Sequence, residues 1–359
     1  VLALGGCGDA PGRSEASGET DAAVSHAAAL RALDAGRAKA ARERLAEAIG
    51  ADPEHLPSLA LLGRIAEGEG DAGRAARFYR AAVAADRGAP DGHAGLARLA
   101  LTGGDPGDGL AHAMNAARVA PGNGGVLTLK AIAALASELD AMARRSALRA
   151  LSAEPGPPSQ RLALAAVLRE TDGPEAALRA VRHGPPVADP RLVRYTLGLL
   201  DRLGRREEAI ELLGRVVDLA PSNHAFRRAL LERHRGAGDM GAALREAYAL
   251  ARRAPGDPLA LLVLGDTTYA DSGLDAALAT LARFAGGERG PGDPVSEAHT
   301  HVAALLEATE GMHDRAATRL QALPEGAGVP DWAKPEWRER LDAARLIGDA
   351  AGEIGRAHV

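Results

Sequence analysis

Glu297, His299, His301 and His313 bring four metal-ligating side chains into one short stretch. A helix juxtaposes residues three or four apart, so His299 and His301 point away from one another and cannot share an ion, while Glu297 and His301 read as a surface pair. The run Gly103-Gly104-Asp105-Pro106-Gly107-Asp108-Gly109 has the glycine content of a phosphate cradle. Such a loop needs a preceding strand and a lysine or helix dipole at its end, so this run reads as an inter-helix turn instead. The adjacent carboxylates Glu207 and Glu208 fall at a turn-helix junction, where negative charge suits a helix N-terminus. No serine or cysteine has the partner pattern of an activated nucleophile. These residue types point to no catalytic centre, no metal site, no cofactor and no small-molecule substrate.

The composition explains what must position the remaining groups. Hydrophobic residues make up 46% of the 359, yet only 3% are aromatic, so the core is built from Ala, Leu and Val. Those residues favour helices whose axes approach closely, and an all-β fold is disfavoured. A net charge of −5 and few aromatics argue against nucleic acid as a partner, because phosphate attraction and base-stacking platforms are both missing. The single cysteine excludes an internal disulfide. No apolar run is long enough to span a bilayer.

The chain repeats itself with a constant period of about 34 residues. Ala41, Ala75, Gly109, Ala143 and Ala177 lie on one grid with Gly36, Gly70 and Gly104, and with Pro53, Pro121 and Pro155. A second grid holds Gly204 and Gly238, Ala209, Ala243 and Ala277, and Pro221 and Pro255. Ala209 follows Ala177 two positions too early for the grid, which puts a short deletion near His183-Gly184-Pro185-Pro186. Within one unit, Leu59, Leu62 and Gly63 form the apolar face of a first helix, Gly70 breaks it, and Ala75, Tyr79 and Ala82 mark a second. The grid alanines, Ala243 among them, are expected between helices, and Ala251 is expected to face solvent.

Leu62-Gly63, Gly70-Asp71, Ala75, Tyr79 and Ala82 resemble the tetratricopeptide repeat (TPR), as do Leu264-Gly265 with Ala277, and Leu230, Gly238-Asp239, Ala243, Ala247 and Pro255. Gly109 and Arg87 depart from the consensus. The resemblance implies an all-α fold, a right-handed TPR α-solenoid of about nine hairpins. Units are expected at 22–55, 56–89, 90–123, 124–157, 158–189, 190–223, 224–257, 258–291 and 297–323, with a phase break near 178–190 and a short second helix in the fifth. A capping helix within 324–351 would use Trp337, Leu341 and Leu346. In TPR proteins the first helices line a concave groove, which here assigns Arg64, Arg98, Arg194, Tyr195, Arg228 and Arg235 to peptide binding. Arginine forks match carboxylates, while Thr128 and Ile132 make the middle of the groove more apolar. The lysine and asparagine pattern of carboxylate-clamp TPRs is absent.

Leu4-Gly5-Gly6-Cys7, at the end of an apolar run, resembles a bacterial lipobox, which implies acylation of Cys7. Residues 1–6 are then a signal-peptide remnant and 7–21 a flexible tether. Residues 352–359 resemble a translated sequencing adapter and read as a non-native tail. The whole plan is similar to TPR lipoproteins of exopolysaccharide and exosortase-linked systems. That resemblance implies a non-catalytic scaffold lipid-anchored to the bacterial envelope, facing the periplasm, on the outer membrane more than the inner, and binding a protein or peptide. The alternative is the TPR part of a larger envelope enzyme, such as a glycosyltransferase or peptidase fusion, and a soluble cytoplasmic adaptor is a third reading.

Overall fold

A computed structural model of the chain describes residues 12–153, 156–285, 293–324 and 338–344. The expected signal remnant, Cys7, Trp337, Leu346 and the 352–359 tail lie outside these residues. Two compact units, 1–199 and 200–359, divide the chain.

The first unit contains α1 (Gly12–Asp34), α2 (Ala38–Ala51), α3 (Leu56–Gly68), α4 (Ala72–Ala85), α5 (Pro90–Thr102), α6 (Pro106–Val119), α7 (Gly124–Ala136), α8 (Asp140–Leu151), α9 (Pro158–Asp172) and α10 (Pro174–Val181). Most of α11 (Pro190–Arg202) also belongs to it. The second holds α12 (Arg206–Leu219), α13 (His224–Gly236), α14 (Met240–Arg253), α15 (Pro258–Ser272), α16 (Leu274–Ala285), α17 (Pro294–Thr309) and α18 (His313–Gln321), and residues 338–344 are helical. Helix α1 begins inside the stretch expected to be a tether. Glu19 favours helix there, and Ala22, just beyond the stretch, is fully buried.

Local chemistry makes the hairpins. Gly36, Gly70, Gly104, Gly204 and Gly238 adopt positive φ, from 68° at Gly204 to 80° at Gly104. They end the first helices as only glycine does without strain. The amide after the glycine reaches back to the helix, Asp71 N to Ala66 O at 2.9 Å and Asp105 N to Ala100 O at 2.9 Å, in a Schellman closure. The same aspartates then cap the second helices. Asp71 accepts from Arg74 N at 2.8 Å, and Asp105 accepts from Asp108 N at 3.0 Å. The Gly103–Gly109 run is therefore a turn and a helix start. Glu207 and Glu208 sit in the first turn of α12. Pro53, Pro121, Pro221 and Pro255 directly follow the C-cap residues of second helices, where a missing N–H and a fixed φ stop the helix.

The fold is a TPR α-solenoid. First helices pack on their own second helices, as α3 does on α4 and α5 on α6, and on neighbouring repeats, as α5 does on α4 and α7. Ala41, Ala75, Gly109, Ala143, Ala177, Ala209, Ala243 and Ala277 are all buried. Ala251, expected to face solvent, is also fully buried: α14 packs on both α13 and α15, and Ala251 joins the core with Ala247, Leu250 and Ala260. Helix α10 has 8 residues, which absorbs the deletion. At the far end Leu341 and Ala344 cover Leu262, Ala304, Leu305 and Leu320.

One turn breaks the glycine rule. Glu138 stands where Gly104 does, one repeat later, with φ 60°, and Leu139 N still closes on Ala134 O at 2.8 Å. A side chain in left-handed backbone costs about 1 kcal/mol. Glu138→Gly is therefore expected to raise stability by about that amount in urea denaturation, whereas Gly104→Glu should lower it.

Candidate binding face of the first helices

Of the side chains assigned to a groove, Arg98 sits on a tightly packed junction between the second and third hairpins. The Tyr79 ring is fully buried between Gly63 of α3 and Gly95 of α5. A Cβ added at either glycine would stand 2.4 Å from ring carbon Cε1. The hydroxyl of Tyr79 donates to Glu67 Oε2 at 2.8 Å and accepts from Arg98 Nη2 at 3.0 Å. Arg98 also donates from Nε to Glu67 Oε1 at 2.9 Å and from Nη2 to Oε2 at 2.9 Å, a two-pronged charge-assisted contact. Burial opposes ionisation of Glu67, but the hydrogen bonds from Arg98 and Tyr79 outweigh it and hold the carboxyl below its ordinary value, because they favour the charged form. Burial and the bond to Glu67 push the Tyr79 hydroxyl up.

The acidic half of this contact follows the repeat register, while Arg233, the arginine of a second example, sits one position later than Arg98 does. Glu67 lies three positions before its turn glycine, and so does Asp201, which accepts from Arg233 Nη2 at 2.7 Å. Each carboxylate comes from one first helix and each guanidinium from the next. The hydrogen bond from Arg233, against a smaller desolvation, keeps Asp201 well ionised. The position of Glu67 is Leu33 one repeat earlier and Leu101 one repeat later, while that of Arg98 becomes Arg64 and Ile132. The third rung thus pairs two apolar residue types, and the first combines a leucine with an arginine.

The six predicted groove residues fall into distinct environments. Arg98 is consumed by Glu67. Arg228 donates from Nε to Asp257 Oδ2 at 2.9 Å, and Asp257, 6% exposed, is the N-cap of α15. Arg235 is half-buried and partnered. Tyr195 is half-buried and lies beside Arg169, whose charge Glu170 stabilises first and Tyr195 second. Arg64 and Arg194 are exposed and, among the described residues, make no hydrogen bond or ion pair. Beside Arg64, burial and then the charges of His55 and Arg64 hold His26 below its ordinary value. The imidazoles of His26 and His55 both reach Ser58 Oγ, at 3.2 and 2.8 Å. Thr128 is buried with its hydroxyl donating to Gly124 O at 2.7 Å, and Ile132 is half-buried.

Elsewhere the pattern-based reading needs amendment. His301 is buried rather than on the surface, its Nδ1 lying 2.8 Å from Glu297 O, because α17 is enclosed by α15, α16 and α18. His299 Nε2 lies 3.0 Å from Pro255 O. No group of three or more metal-ligating side chains occurs among the described residues, nor is any helix there long and apolar enough to cross a membrane. Sequence reasoning missed Glu307, 1% exposed, which accepts from Arg319 at 2.9 and 2.8 Å with Arg315 at 3.3 Å. Its position four places before the turn glycine Gly311, with Arg315 and Arg319 one turn apart on α18, was the available signal.

No known family profile matches the chain, and no curated protein does. Among solved structures it is similar to Pseudomonas aeruginosa PilF, at 18% identity and TM-score 0.46 over 60% of this chain and 99% of that one. PilW, described as a widely conserved type IV pilus biogenesis factor, gives 15% and 0.48 over 58% and 98%. YrrB, described as a TPR protein with an unusual peptide-binding site, gives 17% and 0.35 over 52% and 96%.

Removing Arg98 leaves Glu67 half-buried without its cation, so Arg98→Ala should cost about 1–3 kcal/mol. Arg64→Ala should stay within about 0.5 kcal/mol. Because the Glu67 carboxyl is depressed, its contribution is complete above the unfolded value near 4.5 and is lost as pH falls through the lower folded value. Urea titrations from pH 7 to 3 should therefore show a shallower acid loss in Glu67→Gln than in the parent.

Proposed function

We propose that the protein is a non-catalytic interaction scaffold that holds a peptide or assembly subunit against its first helices. The observation that carries this reading is Arg64: it occupies the position that in Arg98 meets a carboxylate, but the preceding repeat supplies Leu33 in place of the acid. An incoming acidic side chain or terminal carboxylate completes that rung. An exposed guanidinium gains little from an intramolecular ion pair, whereas a partly desolvated one gains up to about 3 kcal/mol from a charged acceptor. Arg194, equally unengaged, offers a second anchor, and Tyr195 beside it adds amphipathic contact area. Arg98 and Arg228 serve the fold and are not free to bind. Acylation of Cys7 tethers the scaffold to the bacterial envelope, on its periplasmic side, and more than one chain is needed to hold it there stably.

The full-length lipoprotein should partition into the detergent phase, and Cys7→Ser should move it to the aqueous phase. An Arg64→Glu/Arg194→Glu variant should keep its helical circular dichroism and lose a partner captured by the parent from envelope extract. Recovery of the same partners at the same salt concentration by both proteins would reject the arginine assignment.

A further inference from the structure

Inside a hairpin, a position on the first helix meets one on the second that lies 19 residues later. In the third hairpin this pair is His93 and His112, hydrogen-bonded through their Nδ1 atoms at 3.0 Å. In the seventh it is Arg227 of α13 and Glu246 of α14, an ion pair at 2.6 Å. The same register holds Leu59 with Phe78 in the second hairpin and Leu127 with Ser146 in the fourth. In the fifth it gives Arg161 of α9 and Ala180 of α10, the cation of the seventh hairpin without its acid. Arg161 is 4% exposed, at a position where Leu59, Leu127, Val193 and Leu261 are buried apolar residues, and Ala180 is fully buried.

Nη1 of Arg161 donates to the carbonyl oxygens of His183 and Pro185, at 3.2 and 3.0 Å. Both acceptors are neutral. Nε is buried without a partner, and among the described residues Nη2 makes no hydrogen bond. Arg98, Arg228 and Arg319 each turn this same Nε–Nη2 edge to one carboxylate. His183, whose carbonyl Nη1 engages, also has a buried Nε2 without a partner. Burial weakens the hold of Arg161 on its proton, and the charge of Asp189 offsets this only in part. The Asp189 carboxylate is engaged elsewhere, accepting from Leu192 N at 2.8 Å.

A buried charge that meets only neutral dipoles is destabilising until a counter-charge joins it. We propose that the fifth hairpin is a receptor for a small free carboxylate, held on the Nε–Nη2 edge of Arg161 in the place that Glu246 takes beside Arg227. The planar fork matches the two oxygens of a carboxylate, and Ala180 leaves the room that a longer side chain would fill. His183, in the tautomer with its hydrogen on Nε2, supplies a further donor. Residues 182–189, which are not helical, border the edge, and Gly184, Pro185 and Pro186 among them are exposed. An arginine this deeply buried suits an acid the size of formate or acetate and not a segment of chain. The site lies between the two helices of one hairpin, apart from the arginines assigned to a peptide.

The test follows the arginine Nε–H resonances of the full chain at neutral pH during titration with sodium formate, against sodium chloride at equal ionic strength. The Arg161 resonance, assigned by its loss in Arg161→Leu, should shift saturably with formate and stay in place with chloride. Formate should also raise the thermal midpoint of the parent more than that of Arg161→Leu, which restores the residue type of Leu127. Ala180→Glu, which supplies the acid from within as Glu246 does, should move the Arg161 resonance in the absence of formate and abolish its response to formate. Sodium phosphate separates a planar acid from a tetrahedral oxyanion. A response to phosphate alone, an Arg161 resonance that formate does not move, or thermal shifts equal in the parent and Arg161→Leu would overturn the assignment.

Discussion

Small residues on the repeat grid let helices of this chain approach closely, and the rest of the structure follows from that closeness. At the Tyr79 junction the limit is explicit: one ring fills the space between two glycines on successive first helices, and a methyl group on either would overlap it. With axes this near, the few large side chains have one way to fit. Burying the ring fixes where its hydroxyl emerges. That point is where Glu67 and Arg98 meet. Apolar fit and polar contact are therefore set by the same spacing, and neither survives a change in the other.

Close repeats also bring acids and bases of successive first helices or their caps within reach of one another. Glu67 with Arg98, Asp201 with Arg233 and Arg228 with Asp257 all join residues about one repeat apart. Main-chain carbonyls are used in the same way, Arg149 donating to Pro121 O at 3.0 Å and Arg206 to Gly236 O at 3.2 Å. Arginine suits the task because its planar fork satisfies two acceptors with little loss of side-chain freedom. The result narrows the binding face, since Arg98 and Arg228 are already held by acidic side chains about one repeat away.

The hairpins were legible in the sequence because their signals are local. A glycine that must take positive φ, an aspartate directly after it that caps, and a proline that stops the second helix recur at fixed spacing. Even the short α10 was visible as a slip in the grid. Side-chain engagement was less legible, because partners such as Arg98 and Glu67 are nearly a full repeat apart and belong to different helices. Counting inward and solvent-facing positions on one helix also assumed a single buried face. Ala251 and His301 sit on helices packed on more than one side, so that assumption failed for them.

In a linear array, each repeat senses only its neighbours, and cooperativity is the strength of that coupling. The Glu67–Arg98 contact joins the second and third hairpins with charge, whereas at the corresponding positions Leu101 and Ile132 are apolar. The third and fourth hairpins are joined instead through main-chain acceptors, Ser137 Oγ donating to Pro106 O and Arg149 to Pro121 O. The first unit is thus a chain of unequal links. In such an array, opening of the backbone divides between repeats and not within them. Position along the array, and not burial alone, sets how long each backbone amide is shielded from exchange with solvent.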